Sequence, residues 1–332
     1  MFSSYDVITI GAATRDVFIK SKLLEIQESD SEPRVLEACF PMGAKIDIDE
    51  LVFETGGGAT NAAATFARLG FKTAAICAIG NDSNGKDVLR ALKNDNISTR
   101  FVQQIKNADT AYSIVIVAGS GERTILVHRG AAQKISNELI PWQKIKAKWL
   151  YITSLGGDLD LLRQSIEVAV RNGIKVAWNP GNAEIKHGLK ALAPLISDVD
   201  VFNLNREEAA TLINSPAADL HQIFSILRQL PKRLLVITDG QAGAYSTEHE
   251  GDILLTSAMD FPRSNTTGAG DAFGSGLIAG LMTRNYDIKY ALAVAIWNAT
   301  GCIRLMGAKR GLLEKYPSDQ EINQIITQPW KS

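Results

Sequence analysis

Asp271 closes a run of small residues, Ser264-Asn265-Thr266-Thr267-Gly268-Ala269-Gly270, and a long run of small and apolar residues follows from Gly274 through Leu281. Such a pattern reads as a glycine-rich loop passing straight into a helix N-terminus. Unpaired backbone N–H groups gather there, and the helix dipole favours negative charge. Gly268 and Gly270 let the backbone approach a ligand closely. A carboxylate in an anion cradle repels a phosphate unless it has a proton to move, so amides plus one carboxylate suit phosphoryl transfer to a hydroxyl. The competing reading is a helix cap with Asp in its first turn. Taken alone, the stretch fits both.

The composition narrows the field. The 332 residues suffice for one large α/β domain or two ordinary ones, and 45% hydrophobic with 21% charged predicts a globular protein with a sizeable core. Balanced charge, 35 basic against 36 acidic residues, offers no footprint for nucleic acid or a membrane surface. Cys39, Cys77 and Cys302 are odd in number and far apart, without metal spacing, and suit a reducing compartment. With no basic apolar leader at the N-terminus and no clean bilayer-length apolar stretch, the expected location is the cytoplasm. His128, His187, His221 and His249 show no triad or metal spacing, and the four Asn-x-Ser/Thr triplets read as chance matches.

The elements that must position Asp271 follow from hydrophobic pattern. Asp6–Gly11 reads as a buried strand, and residues 16–20 and 46–53 as half-exposed strands, while 21–45 read as an irregular insertion with at most a helical turn. A second glycine-rich turn, Gly56-Gly57-Gly58, opens an alanine-rich helix stopped by Gly70. A strand over 73–80 and a helix over 85–96 follow. Two β-rich runs within 110–128, joined at Gly119–Glu122, form a hairpin. Strand–helix alternation resumes near Trp149 and continues to Thr238. A hairpin pair (244–246, 253–256), two long helices near 273–283 and 288–304, and a last helix over 318–326 complete the chain. The expected fold is one doubly wound α/β domain over 1–332, a mostly parallel sheet with helices on both faces. The strands within 16–20, 46–53 and 110–128 form a small antiparallel sheet of their own.

The two glycine-rich turns, their order and their separation resemble the ribokinase-like (PfkB) carbohydrate kinases, over nearly the whole chain. Gly56, Gly57 and Asn61 match a Gly-Gly turn followed by Asn, and Asn265–Asp271 match Asp-Thr-x-Gly-Ala-Gly-Asp. Asn205-Arg206-Glu207-Glu208 matches a weaker Asn-x-x-Glu motif. The resemblance implies that the small sheet is a lid over a sugar site. Asp271 is then the catalytic base, and the amides of Gly268, Ala269 and Gly270 the anion hole. Asp16, Gly56, Gly57 and Asn61 bind substrate hydroxyls. Asn205 and Glu208 hold Mg²⁺, for which few protein ligands suffice; the competing reading is an ordinary helix cap. Asn179, at a strand end, reaches a phosphate of ATP, as does Asn205. Thr238, Gly240 and Gly243 match the nucleotide loop, and Asn298 is a wall for the adenine. Arg123 reads either as a cover for the substrate or as a solvated turn residue.

The departure is Asn265, where the family usually carries an Asp that helps hold an activating monovalent cation; weak or absent stimulation by potassium is expected. The activity implied is ATP-dependent phosphorylation of a small sugar hydroxyl, as in ribokinases and fructokinases. The alternative is a nucleoside kinase of the adenosine type, with Phe18, Phe53 and Tyr112 as a base slot. A non-catalytic sensor would not need Asp271, and a dinucleotide-binding oxidoreductase would need a glycine fingerprint that Gly11–Thr14 lacks. Several members of the family dimerise through the lid, which makes a homodimer the expected assembly.

Overall fold

The computed structural model describes residues 4–21, 25–28, 36–39, 42–117, 123–262 and 265–330. Sixteen strands and ten helices alternate along them. The first half contains β1 (Tyr5–Ile10), β2 (Thr14–Lys20), β3 (Glu25–Glu28), β4 (Leu36–Cys39), β5 (Glu50–Gly56), α1 (Gly58–Arg68), β6 (Thr73–Gly80), α2 (Ser83–Asn94), β7 (Ser98–Ile105), β8 (Ala111–Val117) and β9 (Arg123–His128). Next come β10 (Ala147–Ile152), α3 (Leu159–Arg171), β11 (Lys175–Trp178), α4 (Asn182–Ile185), α5 (Leu189–Ile196), β12 (Val201–Asn205), α6 (Arg206–Leu212), α7 (Leu220–Leu227) and β13 (Leu234–Thr238). The chain ends with β14 (Ala244–Glu248), β15 (Leu254–Thr256), α8 (Ala269–Thr283), α9 (Ile288–Arg304), α10 (Asp319–Ile322) and β16 (Thr327–Pro329).

Ten strands form the central sheet in the order β16-β15-β14-β13-β12-β11-β10-β1-β6-β7. From β7 to β13 every pairing is parallel, and β14 to β16 add an antiparallel edge. β6 is buried at all eight positions, as a parallel strand covered on both faces must be. Helices α3, α5, α6 and α7 pack one face through Leu161, Ile166, Ile196, Ala209 and Phe224. Helices α1, α8 and α9 pack the other through Phe66, Leu277, Ile278 and Leu292. Small residues bring α8 and α9 together, for a Cβ at Gly280 would fall 2.5 Å from Ala291 Cα. The apolar run 274–281 is therefore sandwiched between the sheet and α9, and among the described residues no helix is long and apolar enough to cross a membrane.

The small sheet is separate, in the order β5-β2-β8-β9. Four details differ from expectation. β2 and β8 pair in parallel, because the chain returns to the lid only after passing through the central sheet. The second lid strand, β5, begins at Glu50 rather than at 46 and runs into the glycine turn, with Gly56 paired to Thr14; the alternating Ile and Asp before it stay outside the ladder. Residues 25–28 and 36–39 form a two-stranded antiparallel ribbon where an irregular insertion was expected. The turn at 119–122 lies outside the described residues. Beyond α10, the chain adds β16 instead of continuing the helix to 326.

Candidate active site

The carboxyl ends of β10, β11, β12 and β13 lie side by side, together with the segment after β1. They deliver Thr153 and Ser154, Asn179, Asn205, Thr238 and Ala12 to one cavity of about 320 Å³. A parallel sheet gathers its loops at this edge, which is why residues remote in sequence meet there. Glu208, Thr266, Gly268, Gly270, Asp271 and, from the lid, Arg123 complete the lining. A second cavity of about 220 Å³ adjoins it and is mostly apolar: Ala258, Met259, Phe273, Ile296, Ala299 and Ile303. Thr238, Thr266 and Gly270 belong to both cavities, so the start of α8 stands at their junction.

Gly268 caps α8 in the left-handed region (φ 82°) and packs so closely on Ala308 that a Cβ would fall 2.8 Å from the Ala308 Cβ. The first i→i−4 bond of the helix runs from the Ala272 amide to the Gly268 carbonyl, so the preceding amides have no partner within the helix. Of these, the Ala269 N–H turns back to the Thr266 carbonyl at 3.3 Å. At Gly270 the space a Cβ would occupy is open, leaving its backbone accessible from both cavities.

Asp271 lies in the first turn of α8, partly buried, and its Oδ2 accepts a 2.9 Å hydrogen bond from Asn61 Nδ2. Burial pushes its carboxyl above the ordinary carboxylate range, the Asn61 bond and Lys309 oppose that rise, and Asp16 adds to it. The Asn61 Oδ1 is buried with no hydrogen-bond partner, an acceptor awaiting a donor. Asn61 rides on α1, whose cap, Gly57, has φ 91° and sits where a Cβ would fall 2.5 Å from the Ala12 carbonyl oxygen. Asp16, on the inner face of the lid, is buried, and burial raises its carboxyl as well. It accepts from Thr14 Oγ1 at 2.8 Å. A Cβ at Gly56 would fall 1.8 Å from Asp16 Oδ2, so only glycine permits this approach of the turn to the carboxylate.

Asn205 and Glu208 form a reciprocal capping box on α6: Asn205 Oδ1 accepts from the Glu208 amide at 2.8 Å, and Glu208 Oε2 from the Asn205 amide at 2.9 Å. Both residues also line the polar cavity. Burial, with Glu207, Asp271 and Glu184 nearby, raises the Glu208 carboxyl. Asn179 donates Nδ2 to the Asn203 carbonyl at 2.8 Å, which aims the rest of its amide along the cavity wall. Thr238, Gly240 and Gly243 line the apolar cavity; Gly243 (φ 98°) admits no Cβ, which would meet the Thr256 carbonyl at 2.1 Å.

Asn298 is not a cavity wall. Its side chain is fully enclosed, donating to Thr65 Oγ1 and the Ala272 carbonyl and accepting from the Leu313 amide. The wall is formed by Ile296, Ala299, Thr300 and Ile303, one stripe of α9 at helical spacing, from which position 298 points away. That periodicity was the available signal for the stripe. Ala12, Thr153, Ser154, Gly181 and Gln241 also line the cavities and carry no motif of their own.

Asn265 is fully buried. Its Nδ2 donates to the Leu305 carbonyl at 2.7 Å, with the Gly307 carbonyl at 3.5 Å, and its Oδ1 accepts from the Thr267 amide. Asn265 thus brings no formal charge that would attract a monovalent cation, and its amide nitrogen occupies the Leu305 carbonyl.

The model of the pfkB family carbohydrate kinases matches residues 33–315. A ribokinase of Schizosaccharomyces pombe is 26% identical over 96% of each chain. The structure of Arabidopsis thaliana ribokinase complexed with ribose and ATP superposes with a TM-score of 0.73 at 18% identity, covering 97% of this chain and 98% of that one. Adenosine kinase from Sinorhizobium meliloti superposes with a TM-score of 0.77 at 20% identity, covering 92% and 96%. The chain belongs to the pfkB family of carbohydrate kinases, phosphotransferases that act on an alcohol group.

Proposed function

We propose that the protein transfers the γ-phosphoryl group of ATP to a hydroxyl of a small sugar, with Asp271 as the general base. The observation that carries this reading is the junction of the two cavities at Gly270 and Asp271. An apolar slot suited to a nucleobase and a polar chamber suited to a polyol meet at a helix N-terminus. The base of the nucleotide lies against Ala299, Ile303 and Met259, and its phosphates run past Thr238 and Asn179 toward the start of α8. The acceptor hydroxyl loses its proton to Asp271 as the phosphoryl group arrives, and the amides at the helix start stabilise the developing charge. Asn61 orients the base, and Asp16 accepts hydrogen bonds from the sugar.

Mg²⁺ fits the oxygen donors present. Glu208 keeps Oε1 outside the capping box, and a metal ion needs only one or two protein ligands when phosphates and water supply the others. Bound there, it would neutralise phosphate charge. A monovalent cation is not part of this reading.

A sugar is preferred over a nucleoside because the lid aromatics do not build a base slot. Phe18 is buried in the lid core with Val52, Val115 and Met306. Phe53 is exposed under the Arg15 guanidinium, and strand register puts Tyr112 on that same outer face. The outer face also carries Leu51 and Leu126, both about half exposed, which supports a second copy of the chain as the partner there. Release of ADP, measured across pentoses, hexoses, sugar acids, sugar phosphates and nucleosides, tests the reading. Turnover with a free sugar is expected, and turnover confined to nucleosides would overturn it.

A further inference from the structure

Lys309 follows α9 and is 7% exposed, yet among the described residues its ammonium forms no ion pair. Burying a charge without an ion-pair partner is costly, so the hydrogen bonds that hold it matter. Its Nζ donates to Thr55 Oγ1 and to Thr60 Oγ1, each at 2.9 Å. Thr60 Oγ1 in turn donates to the Gly56 carbonyl at 2.7 Å, with the Gly57 carbonyl at 3.3 Å. These are the carbonyls of the turn that presses on Asp16. The next residue, Asn61, holds Asp271. The Lys309 backbone is itself tied down, its carbonyl accepting from Arg68 Nη1 at 2.6 Å while Arg68 pairs with Asp95.

Resting on the kinase reading above, we propose that Lys309 is a positioning residue of the phosphoryl-transfer site. Its buried ammonium clamps the Gly56–Gly57 turn through Thr55 and Thr60, and supplies the internal positive charge that favours the ionised forms of Asp16 and Asp271. The charged and titratable groups that face it come from every element around it: Asp16 on β2, Glu54 on β5, Arg68 on α1, Asp95 after α2, Cys77 on β6 and Asp271 on α8. Burial lowers the ammonium to about 8, against the opposing pull of Asp95, Asp16 and Glu54, which favour its charged form. Removing a positive charge that lowers two carboxyls must move both upward.

Two variants separate the clamp from the charge. Lys309→Gln keeps a donor for the threonines without charge, and Lys309→Met removes both. The ¹³C carboxyl resonances of Asp16 and Asp271, assigned with Asp16→Asn and Asp271→Asn proteins, are titrated in parallel with kcat/KM for the acceptor. Both Lys309 variants are expected to titrate the two carboxyls at higher pH than the wild type and to carry the acid limb of kcat/KM upward with them. The Met variant alone is expected to raise KM for the acceptor at least tenfold, with KM for ATP changed less than twofold. Carboxyl titrations identical to wild type in both variants would overturn the electrostatic role, and an unchanged acceptor KM in Lys309→Met would overturn the clamp. Wild-type protein that phosphorylates no acceptor, yet whose carboxyls shift in the variants, would sink the kinase reading while supporting the charge coupling.

Discussion

Asn265 stands where the family motif carries Asp, and its amide does with two N–H donors what a cation would do with charge: it satisfies the carbonyls of Leu305 and Gly307 and so ties the loop before α8 to the loop after α9. A carboxylate at the same place would face those carbonyls with no proton to offer. We therefore expect less than twofold stimulation of the wild-type rate when a bulky inert cation is replaced by potassium. Asn265→Asp should lose roughly 1–3 kcal/mol of stability in potassium-free buffer, the cost of unsatisfied buried acceptors, and recover part of it with potassium. A strong potassium response in the wild type, followed by coupled ADP release, would contradict this. Lys309 teaches a complementary lesson at this scale. In the sequence it is one basic residue in a C-terminal loop, with no spacing to mark it, and by default such a residue is solvated. Only the fold reveals that it is buried beneath the glycine turn. The motif residues were legible for the opposite reason. Gly56, Gly57, Gly268 and Gly243 each occupy a place that excludes a Cβ, and that requirement surfaces in sequence as clustered glycine.

At the scale of elements, the parallel core was readable because strands buried on both faces are continuous apolar runs; Thr73–Gly80 was located to the residue. The edges were not. β7 mixes polar and apolar residues at the rim of the sheet, and β16 is three residues long and ends in proline, so neither carries the periodicity of a core strand. Helix α9 shows how a correct element can still yield a wrong wall. Its cavity face is Ile296, Ala299, Thr300 and Ile303, whereas Asn298 points inward and cross-links α1, α8 and the segment at Leu313. The two positions should therefore separate stability from nucleotide binding. Asn298→Ala is expected to cost roughly 2–3 kcal/mol, because it orphans a buried amide and a buried carbonyl, while leaving KM for ATP within about twofold. Ala299→Leu is expected to raise KM for ATP at least tenfold by filling the slot, with little change in denaturant midpoint. Urea unfolding and nucleotide-dependent kinetics check both, and the reverse pattern would return the adenine wall to Asn298.

At the scale of the whole molecule, the lid is a sheet with one face over the site and one face toward solvent. Its outer face exposes Leu51, Phe53 and Leu126, and every residue of β9 is exposed. A bare apolar sheet face of this kind favours a partner. The proposed dimer is expected to dissociate to monomer in the Phe53→Asp, Leu126→Asp protein, read by sedimentation velocity, and a wild-type monomer would contradict the proposal.

The same architecture makes the central claim directly testable. The elements converge on Asp271: the sheet edge places the polar cavity before it, α9 and α8 place the apolar cavity beside it, and Asn61 donates to its carboxylate. Replacing it with Asn keeps the shape and removes the proposed base. With the acceptor found by the ADP-release screen, Asp271→Asn should lower kcat about a hundredfold to ten-thousandfold, the range expected of a general base, while calorimetry shows sugar and ATP binding within about threefold of wild type. Turnover near the wild-type rate in Asp271→Asn would contradict the account.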